Sequence, residues 1–147
     1  MKLKIHQIIL EAVKFKHRDD YLALLPTTSL PSTDIQLAAG LAVSDSNPND
    51  MLVRLEARSG DGGLTSFDVS YVMLIGVEYD AEEVPPPDLP NRILVTGATM
   101  LLPFVREVVA NLTAKGRFGP TWLAPTNFHK AFAESDATTA TTITSQP

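Results

Sequence analysis

From residue 35 onward the chain alternates. Ile35, Leu37, Ala39, Leu41 and Val43 hold one phase, and Gln36, Ala38, Gly40, Ala42 and Ser44 the other. That is the period of a strand with one apolar face. Met51, Val53, Leu55 and Ala57 repeat the signal against Leu52, Arg54, Glu56 and Arg58. The break between the two runs, Asp45 to Asp50, is built of turn formers. Ser59-Gly60-Asp61-Gly62-Gly63 predicts a hairpin connection in which glycine supplies positive φ without steric cost. A longer strand follows, with Phe67, Val69, Tyr71, Met73, Ile75, Val77 and Tyr79 in one phase. Its other face begins polar at Asp68 and Ser70 and turns apolar at Val72 and Leu74. This predicts cover on both sides, from a helix or from a second subunit.

Residues 3–15 change phase twice: Leu3 and Ile5, then Ile8 and Leu10, then Val13 and Phe15. The β-branched Ile5, Ile8, Ile9 and Val13 favour a bulged strand over an amphipathic helix. Residues 20–34 carry Tyr21, Leu22, Leu24, Leu25 and Leu30, a heavy apolar load for a loop. Such a loop packs down over a core or lines a groove.

Val84 to Pro90 reads as a stiff extended linker. A long helix is predicted beyond it, with Asn91 as N-cap. Its apolar stripe runs through Leu94, Ala98, Leu101, Leu102, Val105, Val108, Val109 and Leu112, and Gly116 is the stop. Pro103 predicts a kink or a second start. A short helix is expected over about residues 127–134, capped by Thr126 or Asn127. The expected fold class is α+β: a four-stranded antiparallel sheet with a long helix and a short C-terminal helix packed on it. One domain spans 1–134, and the Thr-rich segment 135–147 is expected to be a disordered tail.

Composition narrows the function. Twelve Lys and Arg against 17 Asp and Glu give a net charge of −5 over 147 residues, the wrong sign for coating nucleic acid. With no cysteine, disulfides, thiolate metal sites and Cys nucleophiles are excluded. The apolar run Met100 to Val105 holds six residues including a proline, against roughly 20 for a bilayer span. Lys4, His6, Gln7, Glu11 and Lys14 interrupt the N-terminal segment, so no secretory signal is expected. No membrane insertion and a cytoplasmic location are the resulting expectations. His6, His17 and His129 lack metal-ligand spacing, and there is no serine elbow or phosphate loop. Asp80, Glu82 and Glu83 form the one carboxylate cluster. At a strand end it reads as a solvated edge, and docking is its better functional reading than acid–base catalysis. Neither an enzyme nor a cofactor is expected.

One stretch is more specific. Leu102-Pro103-Phe104-Val105-Arg106-Glu107, then Gly116-Arg117-Phe118, then Leu123-Ala124-Pro125-Thr126-Asn127-Phe128 resembles the C-terminal half of SecB, the bacterial export chaperone. Ile5-His6-Gln7-Ile8 resembles the start of that family's first strand, and the weaker likeness covers about residues 3–133. The resemblance implies an ATP-independent holdase without cofactor or metal. It also implies a homotetramer, a dimer of dimers, whose long helices meet at the central interface. Val105, Val109 and Leu112 are then candidates for that interface.

Unfolded clients, preproteins for export, would lie in apolar grooves. The crossover loop would supply Tyr21, Leu22, Leu24 and Leu25, the connection Phe118, Trp122 and Leu123, and the second helix Phe128 and Phe132. The chain departs from the family where SecA docks. Ala12 and Lys16 stand in the first strand, Asp68 and Ser70 in the last, and no Cys/His zinc tail follows. Asp68, Asp80, Glu82 and Glu83 are what remains to dock a partner such as SecA. The alternative is a chaperone dedicated to one partner, such as an antitoxin, and uncoupled from SecA.

Overall fold

The alternating runs form strands in the computed structural model, which describes residues 1–17, 35–59, 65–115, 120–132 and 141–145. They are β1 (Lys2–His17), β2 (Ile35–Val43), β3 (Asp50–Ser59) and β4 (Thr65–Glu78). All neighbours are antiparallel, in the spatial order β1-β4-β3-β2. Asn47 shapes the β2–β3 turn. Its side-chain oxygen accepts from the Asn49 N–H at 3.1 Å, and its carbonyl accepts from the Asp50 N–H at 3.0 Å, an Asx-type turn. The Gly60–Gly63 connection lies outside the described residues.

Two expectations about β1 and β4 resolve in detail. The pairing of β1 with β4 slips between Ile5 and Gln7 and again between Leu10 and Ala12. His6 and Glu11 are therefore the extra residues of two bulges, and these account for the two phase changes. The apolar second face of β4 is not covered by a helix among the described residues. Val72 stands between Ile9 and Arg54 in the register, and Ser70 donates to Glu11 at 3.3 Å. Side chains of the flanking strands close over it.

The tail expectation is corrected at one place. Thr141–Ser145 forms a fifth strand, β5, antiparallel to β2, with Ile35 opposite Ser145 and Ala39 opposite Thr141. Low complexity was read as lacking anything to bury. But threonine and isoleucine are good strand formers, and a free sheet edge satisfies their backbone groups without a core.

The helix α1 (Leu89–Ala114) starts before the predicted Asn91. Pro90 fits the first turn because a proline there forfeits no helical hydrogen bond. Asp88 takes the cap position, and its carboxylate binds Arg92 at 2.9 Å. That hydrogen bond holds the Asp88 carboxyl below its ordinary pKa. The helix runs on through Pro103 with no second start. The carbonyl left without its donor belongs to Thr99, which is exposed and open to water. By length and composition α1 is apolar enough to cross a membrane, which the count of uninterrupted apolar runs missed. Here that apolar surface lies on the sheet. Ile93, Leu94, Ala98, Leu101, Val105 and Val109 have no exposed surface and meet Val53, Leu55, Met73 and Ile75 in one core.

Width decides what stays bare. A helix is about 10–12 Å across, while five strands at about 4.8 Å spacing span roughly 20 Å. α1 lies mainly on β3 and β4 and less on β2. On β1, Leu3, Ile5, Leu10 and Val13 share the helix side of the sheet with Val77, Ile75, Tyr71 and Val69, yet they remain 38–45% exposed. Gly97 sets how closely α1 approaches. A Cβ there would lie 2.7 Å from Val53 Cγ2 and 2.8 Å from Val53 Cβ. Gly97→Ala is therefore expected to lower the unfolding free energy by about 1–2 kcal/mol despite the better helix propensity of alanine. Adding Val53→Ala removes only the two Cγ contacts and keeps the Cβ at 2.8 Å, so the double variant should stay less stable than the natural chain, and urea denaturation of the single and double variants measures both.

Candidate functional site

The segment after α1 determines which side chains face water. Thr113 is buried on the last turn, and its hydroxyl bonds the Val109 carbonyl at 2.8 Å. The same oxygen accepts the Thr121 N–H at 2.6 Å, fixing the connection to the helix end. Leu123 then enters the core at 1% exposure. Trp122, between these two anchors, is pushed outward and is 62% exposed. It borders a cleft of about 280 Å³ with Pro103, Arg106, Ala110 and Asn111 of α1. Arg106 Nε is buried there without a hydrogen-bond partner among the described residues.

The helix α2 (Phe128–Ala131) is a single turn capped by Asn127, whose side-chain oxygen accepts the Lys130 N–H at 3.2 Å. Phe128 and Phe132 stack at 5.5 Å between ring centroids, each 1% exposed. Of the expected groove residues that lie among the described residues, Leu123, Phe128 and Phe132 are therefore core, and Trp122 is surface. Their side chains pin the connection and α2 to the sheet. Tyr21, Leu22, Leu24, Leu25 and Phe118 lie outside the described residues. The interface expectation is corrected in the same way. Val105 and Val109 have no exposed surface and face the chain's own sheet, and Leu112 packs against the same core. A stripe at three- and four-residue spacing cannot distinguish its own sheet from a second copy.

The exposed apolar residues of α1 are others. Met100 and Phe104, one turn apart, are 40% and 39% exposed. The Phe104 ring lies 5.7 Å from that of Tyr71, which is opposite Leu10 of β1. A strip thus runs from β1 across β4 onto the flank of α1. Met100 and Phe104 fall off the apolar stripe, so periodicity passed over them. On β1 the signal was present, since both phases of that strand are apolar.

The outer sheet face is charged but balanced. Arg54 binds Glu11 at 2.8 Å and Glu56 at 3.4 Å, while Arg58 binds Glu56 at 2.6 Å and Asp68 at 3.7 Å. Lys14 and Lys16 stand opposite Asp68 and Ser66 in the register. Exposed pairs like these add little stability, but they leave no block of free negative charge. Glu83 is also engaged. It binds the N-terminal ammonium at 2.5 Å and accepts the Asp80 N–H at 3.3 Å, and these hydrogen bonds hold its carboxyl below the usual range. Asp80 and Glu82 are exposed beside it.

Comparison with known proteins gives this arrangement its class. The family model described as preprotein translocase subunit SecB matches residues 1–139. The protein-export protein SecB of Rhodopseudomonas palustris strain TIE-1 is 28% identical over 118 residues, covering 79% of this chain and 73% of its own. That of Acidithiobacillus ferrooxidans strain ATCC 53993 is 25% identical over 135 residues, covering 89% and 87%. Among solved structures, the SecB-like chaperone of Mycobacterium tuberculosis, in complex with a ChAD peptide from the HigA1 antitoxin, superposes with a TM-score of 0.65 at 17% identity. The superposition covers 84% of this chain and 90% of that one. The chain belongs to the SecB family, and its function is that of a chaperone.

The burial contrast predicts opposite outcomes for two aromatic truncations. Trp122→Ala should change stability by no more than about 0.5 kcal/mol, as exposed positions do. Phe128→Ala should cost about 3–5 kcal/mol, since it empties a core site. Thermal and urea unfolding followed by circular dichroism separates the two.

Proposed function

We propose that the protein is an ATP-independent holdase that keeps non-native polypeptides soluble in the cytoplasm, working as a homo-oligomer. The observation that carries the reading is the exposed apolar surface of a domain whose core is already complete. Trp122, Met100, Phe104 and the inner face of β1 stay open although the sheet and α1 are sealed by some two dozen buried apolar residues. A holdase needs such surface, because unfolded chains share exposed apolar side chains rather than a sequence.

Two kinds of surface divide the work. The strip from β1 over Tyr71 to Phe104 is bounded by the edge of β1, which has no further strand beside it among the described residues, and this suits a second copy of the chain. Pairing two β1 edges and bringing the α1 flanks together supports the dimer of a dimer-of-dimers tetramer. Trp122 and its cleft suit a client side chain, together with Tyr21, Leu22, Leu24, Leu25 and Phe118. Each such contact contributes on the order of 1–3 kcal/mol, and several subunits acting on one client raise the total through effective concentration.

A narrower reading, one dedicated partner in place of many preproteins, is favoured by the outer sheet face. Glu11, Glu56 and Asp68 are each matched by an arginine. Of the candidate docking carboxylates, Asp80 and Glu82 have no ion pair among the described residues, a thin basis for coupling to SecA. The solved relative bound to an antitoxin peptide is consistent with that version.

Native mass spectrometry with and without a urea-denatured client tests the assignment. Leu10→Glu with Phe104→Glu should reduce the assembly to monomers. Trp122→Ser should leave the assembly intact and lower aggregation suppression by about fivefold, the loss of roughly 1 kcal/mol per site. Unchanged suppression in Trp122→Ser removes the cleft from the client path. A pull-down from the native host then sorts the two versions: a spread of preproteins supports the general holdase, and one dominant partner the dedicated one.

A further inference from the structure

We infer that Arg106 gives the Trp122 cleft a preference for client segments that carry a carboxylate close to an apolar side chain. The inference deepens the holdase reading and rests on it. Among the described residues, Arg54, Arg58 and Arg92 each hold a carboxylate, at 2.8, 2.6 and 2.9 Å. Arg106 has no ion pair among them, and its Nε is closed off from water with no acceptor. Glu107 borders the same cleft and is exposed. It does not pair with Arg106, since adjacent positions on a helix do not face each other. A buried donor left without an acceptor is costly, and an acceptor carried in by a ligand removes that cost.

The walls define the ligand. Trp122, Pro103 and the buried Ala110 present apolar surface, and Arg106 presents a cation. A guanidinium can bond a carboxylate at two points, whereas a client lysine or arginine would be repelled. Beside a large aromatic ring the pair is partly shielded from water, which strengthens it. In an extended chain, side chains two positions apart share a face. The matching unit is therefore an apolar residue with Asp or Glu two positions away. Neutral segments still bind through the apolar walls, and the carboxylate adds to that binding.

One effect opposes this preference. The net charge of −5 repels acidic segments at a distance. That repulsion is largely screened beyond about 8 Å at physiological salt, while a contact pair inside a cleft is screened much less. The local pair wins.

Trp122 is the only tryptophan of the chain, so its emission reports occupancy of the cleft. End-capped peptides are compared that share one phenylalanine and differ two residues further on, where they carry Asp, Asn or Lys. Affinity for the full chain is measured by the anisotropy of a fluorescein label, with Trp122 emission followed in parallel. The Asp peptide should bind about fivefold more tightly than the Asn peptide, and the Lys peptide most weakly. In Arg106→Gln the affinities should become equal. Arg106→Lys, which keeps the charge but loses the planar fork, should retain part of the preference. Equal or reversed affinities for the Asp and Lys peptides in the natural chain overturn the proposal. So does an acid preference that survives Arg106→Gln or that leaves Trp122 emission unchanged. Native mass spectrometry covers the competing occupant, a second copy of the chain. An assembly lost in Arg106→Gln and restored by Arg106→Glu with Glu107→Arg assigns the guanidinium to that copy and overturns the proposal. If the natural chain binds a urea-denatured client without preferring acid, this inference alone fails. If it binds neither the peptides nor the client, the holdase reading fails with it.

Discussion

The contact between α1 and the inner faces of β3 and β4 governs the rest of the molecule. It is close because Gly97 removes a side chain above Val53, and it is dry because the residues between helix and sheet have no exposed surface. A single helix seated so tightly cannot also shield the margins of the sheet. β1 therefore keeps its apolar inner face open on one side, and on the other β5 reaches only five of the nine residues of β2. In an ordinary globular domain the bare apolar face of β1 would be a liability.

Much of the architecture could be read from residue order, because the strands alternate cleanly and one side of the sheet is buried. Ile35 to Val43 and Met51 to Ala57 left no choice of phase, and the double phase change in β1 announced bulges, which the register places at His6 and Glu11. Boundaries were less legible. Asn91 looks like a cap, but Pro90 is tolerated within the first turn and lets the helix begin earlier. The strand at Thr141–Ser145 was hidden because pairing to an edge demands backbone geometry more than apolar content.

The site was harder to read than the fold, for a physical reason. An aromatic side chain in an irregular segment has no periodicity to report its direction. Trp122 and Leu123 are adjacent, yet one is mostly in water and the other is sealed. The Thr113 hydroxyl makes that difference by fixing Thr121, a contact across eight residues that spacing rules do not register. Likewise Val105 and Phe104 are neighbours on α1, and only the sheet beneath determines which of them can serve an interface.

The bulges of β1 have a consequence for how the molecule survives among sticky chains. They sit at His6 and Glu11, symmetric about the midpoint between Ile8 and Ile9. A twofold antiparallel pairing of two β1 strands about that midpoint sets each irregularity opposite the other, so the kinks coincide. A foreign strand with unbroken alternation runs out of step within a few residues and cannot template along the full edge. Two copies meeting about that midpoint would thus be matched by the same pair of misplaced residues that turns an unbroken strand away.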